Sequence, residues 1–423
     1  MAQFSDQVVS LALAAANAMR AGDLANASRR YDEVLKLAPN HPEALFFFGR
    51  QAMEARDLTR ALNFFRQAAA ADPKQPVIQL NISYVAEAMG DTYTQGQALD
   101  AAIRADPYFY PAQFARGAYL ERMGRPKQAA NVYSNALRIA PPHNQLAPTI
   151  QAHAIRAKTV VDTYTAQKEA FLQSRTKVAR DHLAGEDVAR FDESLAIMAG
   201  VKKAYVHEPV RFHFPELPAT CFFKRARFPW LAQLEAATDD ILGELDGILR
   251  EIGSEFEAYV QKEATEPLNQ WAELNKSQRW SALFLYKDGT RIDHICRRAP
   301  KTLAILERIP RLDIPGRGPT AFFSALDAKT HIPPHTGVNN IRSIVHLPLI
   351  VPENTWFRVG NDKRPFKRGE AWVFDDSIEH EAMNDSDERR IILIFDVWNP
   401  NLTEAERQLV REMMVAEDEF ERE

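Results

Sequence analysis

Two histidines, His335 and His380, combine a residue type and a setting that could hold a metal ion. His335 lies in the run His331–Gly337, which contains two consecutive prolines, and His380 lies in the acidic run Asp375–Glu381. Neutral imidazole is a common nitrogen ligand of divalent iron. The two residues are 45 positions apart. On that spacing alone, ordinary loop or core histidines are favoured over a metal site.

Arg390 offers a second kind of chemistry, the binding of a carboxylate. A guanidinium grips a carboxylate through two parallel, charge-assisted hydrogen bonds. Arg390 opens the apolar run Arg390–Ile394, where an unpaired arginine that points inward would be costly. The alternative is a surface salt bridge with Asp387 or Glu388, for which the adjacent Arg389 is the better candidate.

Short strands must position these side chains. From Ser281 onward, β-branched and aromatic runs alternate with Pro, Gly, Asn and Asp, which is typical of a sandwich or barrel. The predicted strands are Ser281–Tyr286, Thr320–Leu326, Ile341–Val351, Trp356–Val359, Glu370–Phe374 and Arg389–Trp398. His335 is predicted in a loop between two strands, and His380 just after another. Alternation places Arg342, Ile344 and His346 on one strand face.

A repeat occupies the first third of the chain. Four prolines follow one another at intervals of 34 residues: Pro39, Pro73, Pro107 and Pro141. Large side chains stand eight positions before each proline: Tyr31, Phe65, Leu99 and Tyr133. The pattern over residues 1–144 resembles the tetratricopeptide repeat, which implies two helices per unit. Stacked units leave a concave groove, so we expect it to bind a peptide or protein substrate. The alternatives are a rigid spacer or dimerisation, with the oligomeric state left open.

The composition is that of an ordinary globular protein. Apolar residues make up 46% and charged residues 26% of the 423 residues, which excludes disordered and collagen-like classes. The net charge of −5 carries no electrostatic footprint for nucleic acid. Two cysteines are too few for a disulfide framework, and no apolar run is long enough to span a membrane. We therefore expect a soluble, reduced, cytoplasmic protein.

Changes in pattern divide the chain into four segments. Residues 1–144 form the repeat domain, and residues 145–205, rich in helix formers, are predicted to be a helical connection. Prolines among aromatic residues mark a boundary near His207, and a further helix is predicted over Trp230–Glu263. Residues 206–400 then form the strand-rich domain, and residues 401–423 a C-terminal helix.

Four blocks in the strand-rich domain resemble the aspartyl/asparaginyl β-hydroxylase family. The blocks are His335-Thr336-Gly337; Arg342 with His346–Pro352; Phe374–Asp376 with His380-Glu381, Asn384–Ser386 and Arg389-Arg390; and Asp396–Pro400. Members of the family are iron(II)- and 2-oxoglutarate-dependent oxygenases on a double-stranded β-helix. The resemblance, dense over about residues 320–400, implies an α+β multidomain fold: an all-α repeat solenoid, then a jelly-roll barrel with flanking helices.

The resemblance outweighs the argument from spacing and implies that His335 and His380 are the two iron ligands. Many iron(II) oxygenases add a carboxylate ligand, but the residue two positions after His335 is Gly337. Some members of the family also have glycine there, so water is expected at that position. Asp375 or Asp376 could orient a metal-bound histidine, although Asp-rich turns are common.

The resemblance also implies a site for the cosubstrate, 2-oxoglutarate. Arg390 matches the arginine that grips its distal carboxylate, and Ser324 matches the serine that assists. His346 matches a histidine near the other end of the cosubstrate, and Arg342 completes the set. The family often has a second basic residue where Ile344 stands, which leaves open how the 1-carboxylate is held.

The leading hypothesis is an enzyme, a dioxygenase that hydroxylates an unactivated C–H bond and converts 2-oxoglutarate to succinate and carbon dioxide. Its expected target is the β-carbon of an Asp or Asn residue in a peptide or protein. One alternative is a hydroxylase of a small molecule or lipid. The other is a non-catalytic repeat scaffold with an inert barrel, but a decayed site should have lost at least one of His335, His380 and Arg390.

Overall fold

The computed structural model describes residues 4–183, 185–252 and 255–421. The chain divides into two compact units, Met1–Val201 and Lys202–Glu423. Within the described residues, no helix is both long enough and apolar enough to cross a membrane.

Helices make up the regular structure of the first unit. They are α1 (Asp6–Arg20), α2 (Leu24–Leu37), α3 (Pro42–Glu54), α4 (Leu58–Ala71), α5 (Pro76–Ala88), α6 (Thr92–Ala105), α7 (Tyr110–Arg122), α8 (Pro126–Ile139), α9 (Pro148–Asp181) and α10 (Ala189–Ala199). The repeat recurs in the caps: Asp23, Asp57 and Asp91 each accept a hydrogen bond from the backbone N–H three residues on. These caps begin α2, α4 and α6 because a carboxylate satisfies a free N–H of the first turn.

Close contact between the two helices of a repeat explains the alternation of small and large residues. A Cβ on Gly49 of α3 would lie 2.6 Å from the ring of Phe65 on α4, and a Cβ on Gly117 of α7 would overlap the ring of Tyr133 on α8. Phe65 and Tyr133 are buried, so each ring occupies the space that its glycine leaves free. The predicted all-α repeat is confirmed.

The second unit combines helices with eleven strands in its described residues. The helices are α11 (Leu231–Ala236), α12 (Thr238–Ile252), α13 (Asp293–Cys296), α14 (Pro300–Leu306) and α15 (Glu404–Phe420). The strands are β1 (Glu257–Ala258), β2 (Trp280–Lys287), β3 (Thr290–Arg291), β4 (Ala321–Leu326), β5 (Thr330–His335), β6 (Arg342–Ile350), β7 (Thr355–Val359), β8 (Asp362–Pro365), β9 (Trp372–Phe374), β10 (His380–Asn384) and β11 (Arg390–Trp398).

The strands form two antiparallel sheets. The large sheet has the order β1-β2-β4-β11-β6-β9, with β3 paired to β2, and the small sheet has the order β5-β10-β7-β8. From β4 to β11 the chain passes back and forth between the sheets, so that sequential strands seldom pair. This winding is the double-stranded β-helix, and the predicted α+β fold is confirmed.

Alternation along β11 sends its side chains to two cores. Leu393 and Phe395 share a core with Leu234, Ile241 and Leu245 of α11 and α12, so these helices cover the outer face of the large sheet. The intervening residues of β11 point to the opposite face, between the sheets. Arg390 and Ile392 therefore face the space that the site occupies.

Five strands were not predicted, namely β1, β3, β5, β8 and β10, and one predicted helix is too long. His335 ends strand β5 and His380 begins strand β10, so the predicted loop placement of His335 is wrong. Strand β5 was not predicted because Pro333 and Pro334 cannot donate backbone hydrogen bonds. It is, however, an outer strand of the small sheet, where missing N–H donors are tolerated. Strand β8 was also missed, and the helix predicted over Trp230–Glu263 ends at Ile252.

Candidate active site

A cavity of about 360 Å³ lies between the two sheets. Each residue that the sequence placed in the site contributes to its wall: Ser324, His335, Arg342, His346, His380 and Arg390. They come from strands β4, β5, β6, β10 and β11 of both sheets. The fold therefore brings together residues that are up to 66 positions apart.

His335 and His380 form a pair across neighbouring strands. They are register partners in β5 and β10, and their ring centroids are 4.1 Å apart. Nδ1 of His335 lies 2.8 Å from the carbonyl oxygen of Pro333, and Nδ1 of His380 lies 3.0 Å from that of Ile378. A carbonyl can only accept a hydrogen bond, so each Nδ1 carries the proton and each neutral ring keeps its lone pair on Nε2.

Burial keeps both imidazoles neutral. It lowers the pKa of His335 to about 3, with repulsion from His380 adding to the effect. Burial likewise lowers the pKa of His380 to about 4. A neutral imidazole fixed through Nδ1 by a carbonyl is the usual form of a histidine that ligates a metal through Nε2.

These two donors fit a divalent transition metal with open coordination positions. Within residues 4–183, 185–252 and 255–421, no group of three His, Cys, Asp or Glu side chains could hold a metal ion. His335 and His380 would thus supply two ligands of a transition metal such as iron(II), which imidazole suits. The remaining positions would be left for solvent and a chelating cosubstrate.

The side chain of Asp376 fills the space beside Gly337. A Cβ on Gly337 would overlap this carboxylate, whose farther oxygen, Oδ1, is only 2.8 Å from the Cβ position. Asp376 is buried, and its Oδ2 accepts a 2.9 Å hydrogen bond from Arg342. Its Oδ1 has no hydrogen-bond partner in the described part of the chain. A free carboxylate oxygen therefore lies beside the position that lacks a side chain.

Among the described residues, no anion is hydrogen-bonded to the buried guanidinium of Arg390. Its side chain is 1% exposed, and its Nε and Nη2 have no hydrogen-bond partner there. Burial lowers its pKa to about 9, and its guanidinium lies 5.1 Å from the centre of the Phe366 ring. The alternative of a surface salt bridge with Asp387 or Glu388 is wrong for Arg390. An unpaired buried charge is costly, so this position calls for an anionic ligand.

Ser324 can assist at the same end of the cavity. It faces Ile392 across the β4–β11 ladder, and Ile392 is two residues from Arg390. Its Oγ accepts a 3.2 Å hydrogen bond from the indole of Trp280. The hydroxyl proton of Ser324 thus remains available for a carboxylate oxygen.

His346 lines the cavity and is close enough to both Arg390 and His380 for their charges to act on it. Its ring contacts Phe357 and Phe374 at centroid distances of 4.8 and 4.7 Å, and its Nδ1 has no hydrogen-bond partner within the residues that the structure describes. Burial, followed by the charges of Arg390 and His380, holds its pKa well below the usual value. A neutral His346 close to both residues suits a ligand that extends from Arg390 to the histidine pair.

The turn that carries Asp376 and His380 is held from outside by His207. Nδ1 of His207 lies 2.8 Å from Oγ of Ser377 and 3.2 Å from Oδ2 of Asp375. Its Nε2 lies 3.1 Å from a carbonyl oxygen. The carboxylate of Asp375, in close contact with Nδ1, raises the pKa of His207. Sequence reasoning missed this contact, which spans 170 positions, because nothing in the local pattern around His207 indicates it.

Two segments of the chain match models of known protein families. Residues 248–400 match the family model of aspartyl/asparaginyl beta-hydroxylase, and residues 18–80 match that of the tetratricopeptide repeat. The chain carries an aspartyl/asparaginyl β-hydroxylase domain that follows tetratricopeptide repeats in the sequence. The hydroxylase domain contains His335, His380 and Arg390, whereas His207 lies outside the matched residues.

Curated relatives share this hydroxylase domain. The human aspartyl/asparaginyl beta-hydroxylase is 33% identical over 181 residues, which cover 43% of this chain and 24% of that protein. The ornithine lipid ester-linked acyl 2-hydroxylase of Rhizobium tropici is 31% identical over 196 residues, covering 46% and 66% respectively. The match thus spans about a quarter of the human protein and about two thirds of the bacterial one.

Proposed function

We propose that the protein is an iron(II)- and 2-oxoglutarate-dependent dioxygenase that hydroxylates an unactivated C–H bond. The observation that supports this most is the pairing, in one cavity, of two neutral imidazoles with a buried arginine that lacks an anion. When bound, iron and 2-oxoglutarate supply the oxidation by dioxygen, which yields succinate, carbon dioxide and the hydroxylated product.

The protein's own residues bind and orient the reactants. Arg390 grips the distal carboxylate of 2-oxoglutarate through its two unpartnered nitrogens, and Ser324 donates its hydroxyl proton to the same group. His335 and His380 hold the metal through Nε2. Their Nδ1–H groups donate to the carbonyl oxygens of Pro333 and Ile378, which fixes the rings. Nε2 carries no proton that metal binding would have to displace.

The relatives' names point to two substrate classes. The name of the human relative favours an Asp or Asn residue of a peptide, modified at its β-carbon. The name of the bacterial relative favours the acyl chain of a lipid. Tetratricopeptide units present a concave surface of the kind that binds polypeptides. We therefore take an amino-acid residue of a peptide or protein, recruited by the repeat groove, as the substrate.

Metal binding and cosubstrate turnover test the proposal together. The full chain with iron(II) should convert 2-oxoglutarate to succinate, and His335→Ala or His380→Ala should lose most of the bound iron and of the turnover. His331→Ala is the matched control, because His331 is on the same strand but is 45% exposed and pairs with Glu381. Full iron occupancy in the double variant of His335 and His380 would contradict the assignment, whatever the turnover.

A further inference from the structure

Residues 203–214 form a strap that is hydrogen-bonded to two loops of the candidate active site. The strap belongs to the second unit and lies outside residues 248–400, which match the hydroxylase family model. One of the two loops, residues 336–341, follows His335, and the other, residues 375–379, precedes His380. The strap therefore contacts the chain on one side of each candidate metal ligand.

Backbone hydrogen bonds tie the strap to the loop that follows His335. The N–H of Val210 donates to the carbonyl oxygen of Gly337 at 2.9 Å. The next two N–H groups of the strap both donate to the carbonyl oxygen of Val338, at 3.0 and 3.1 Å. Since Gly337 is only two residues from His335, these bonds fix the backbone close to the first candidate ligand.

A buried amide side chain joins the same loop to the end of the strap. Oδ1 of Asn340 accepts a 2.7 Å hydrogen bond from the N–H of Phe214, and Nδ2 of Asn340 donates to the carbonyl oxygen of Phe214 at 2.9 Å. Asn340 has no exposed surface. Because a buried amide that lost these partners would be left unsatisfied at a cost, this contact holds the strap and the loop together.

The strap also holds the loop that precedes His380. The N–H of Glu208 donates to the carbonyl oxygen of Ser377 at 2.8 Å, and Nδ1 of His207 lies 2.8 Å from Oγ of the same serine. Ser377 adjoins Ile378, whose carbonyl oxygen accepts the hydrogen bond that orients the ring of His380. A short chain of contacts thus leads from His207 to the second candidate ligand.

A further contact reaches the residues on both sides of His380. Nη1 of Arg358 donates to the hydroxyl of Tyr205, in the strap, at 3.2 Å. The same guanidinium pairs with Glu379 through Nη2 at 2.9 Å and with Glu381 through Nε. Tyr205 therefore helps to place the arginine that connects the two neighbours of His380.

We propose that the strap sets the geometry of the metal site and that His207 is a positioning residue for the metal ligands. This inference rests on the proposed function, in which His335 and His380 bind the metal. Groups that orient metal ligands contribute about 10–100-fold to metal affinity. Loosening either loop should therefore weaken metal binding even though both imidazoles remain in the chain.

Two variants of the full chain loosen the strap at one loop each. Val210→Pro removes the N–H that donates to Gly337. Its control is Val210→Ala, which keeps the N–H and shortens a side chain that is 68% exposed. His207→Ala removes the ring that contacts Ser377, and His213→Ala, at an exposed position of the strap, is its control.

Metal titrations separate a positioning role from a structural one. Manganese(II) and cobalt(II) are titrated into the metal-free chain, and the visible absorption of bound cobalt(II) reports the coordination geometry. Circular dichroism gives the folded fraction of each variant, so that the affinities of folded proteins are compared. Val210→Pro and His207→Ala should bind both metals about tenfold more weakly and should alter the cobalt(II) spectrum, whereas both controls should match the wild type.

The inference is overturned if the folded variants show wild-type affinity and an unchanged cobalt(II) spectrum, or if the controls lose as much affinity as the variants. If one variant does not fold, the other decides. If neither folds, the inference is also overturned, because the strap would then serve the stability of the whole unit. Succinate formation by the wild-type chain would show that the proposed function survives such a result. A wild-type chain that binds neither metal would refute the proposed function, and the inference with it.

Discussion

At Gly337 the absence of a side chain lets a carboxylate from another part of the chain approach the histidine pair. The N–H of Gly337 donates to the backbone oxygen of Asp376 at 2.6 Å, and the side chain of Asp376 occupies the place of the missing Cβ. Asp376 is in turn fixed by Arg342. A single methyl group at residue 337 would therefore disturb a chain of contacts in the site.

Gly337→Ala is expected to displace Asp376 and to lower turnover on the order of 10²-fold, the effect of a misplacement of about 1 Å. Gly337→Asp should impair turnover too, although it supplies the carboxylate that many iron(II) oxygenases use. Succinate formation by purified variants measures the effect. Gly243→Ala on α12 is the control, because a Cβ there meets no atom within 4 Å. Full activity of Gly337→Asp would show that Asp376 can move aside without cost.

Arg390→Ala should weaken 2-oxoglutarate binding by about 2–5 kcal/mol, because the carboxylate would then be buried without its partner. Ser324→Ala should weaken it by about 1 kcal/mol, the value of one hydrogen bond. Titration of the manganese(II)-loaded protein with 2-oxoglutarate measures both constants. Ser343→Ala is the control, since no described residue forms a hydrogen bond with the buried Oγ of Ser343. Unchanged affinity in Arg390→Ala would place the cosubstrate elsewhere.

The turn between β9 and β10 depends on a charged contact with a distant residue. Nε2 of His207 donates to a carbonyl, and Ser377 donates its hydroxyl to Asp375 at 2.6 Å. Since the hydroxyl proton of Ser377 is already donated to Asp375, Nδ1 of His207 must donate to Oγ of Ser377. His207 therefore carries a proton on both ring nitrogens. A protonated His207 therefore ties the turn that presents Asp376 and His380.

A pH-dependent loss of stability follows from the raised pKa of His207. The contact with Asp375 contributes fully below the unfolded value of about 6.5 and is lost as the pH rises through the higher folded value. His207→Gln should therefore lower the free energy of unfolding more at about pH 5.5 than at about pH 9. Urea denaturation at both values measures the difference. His213→Gln, 6.0 Å away between ring centroids, is the control, and an equal loss at both values would mean that His207 acts as a neutral residue.

Strands with an apolar buried face could be predicted from the sequence, whereas those with a polar one could not. Strands β2, β4, β6 and β11 carry Val, Ile, Leu and Phe towards a core. In β10 the buried positions are His380, Ala382 and Asn384, so its alternation does not show as hydropathy. Contacts far apart in the chain, such as those of Gly337 with Asp376 and of His207 with Asp375, leave no local pattern in the sequence. The site residues within the family blocks could be identified from the sequence, because each block is a local pattern of neighbouring residues.

The molecule as a whole divides after Val201 into a repeat unit and a second unit that contains the candidate active site. The segment just after it belongs to the second unit by its contacts. The amide of Asn361 donates to the carbonyl of Lys203, and Arg358 donates to the hydroxyl of Tyr205. A chain that begins at Lys202 would keep these bonds and the one from His207.

A chain that begins at Lys202 is expected to stay folded and to retain iron and the uncoupled turnover of 2-oxoglutarate. If the repeats recruit substrate, its Michaelis constant for a protein substrate should rise with little change in kcat, since binding far from the reaction affects ground and transition states alike. A short peptide substrate is the control and should be used equally by both chains. Equal activity on the protein substrate would leave the repeats a structural role, and insolubility would place the boundary further towards the N-terminus.

The small sheet also has a consequence for how the protein behaves at high concentration. Its outer strands, β5 and β8, are the places where another copy could add a strand and start an aggregate. Strand β5 contains Pro333 and Pro334, and β8 reads Asp-Lys-Arg-Pro. Proline offers no N–H to a foreign strand, and clustered charge repels one. The prolines beside His335 thus let the edge that bears a metal-ligand candidate remain next to an open cavity without inviting self-association.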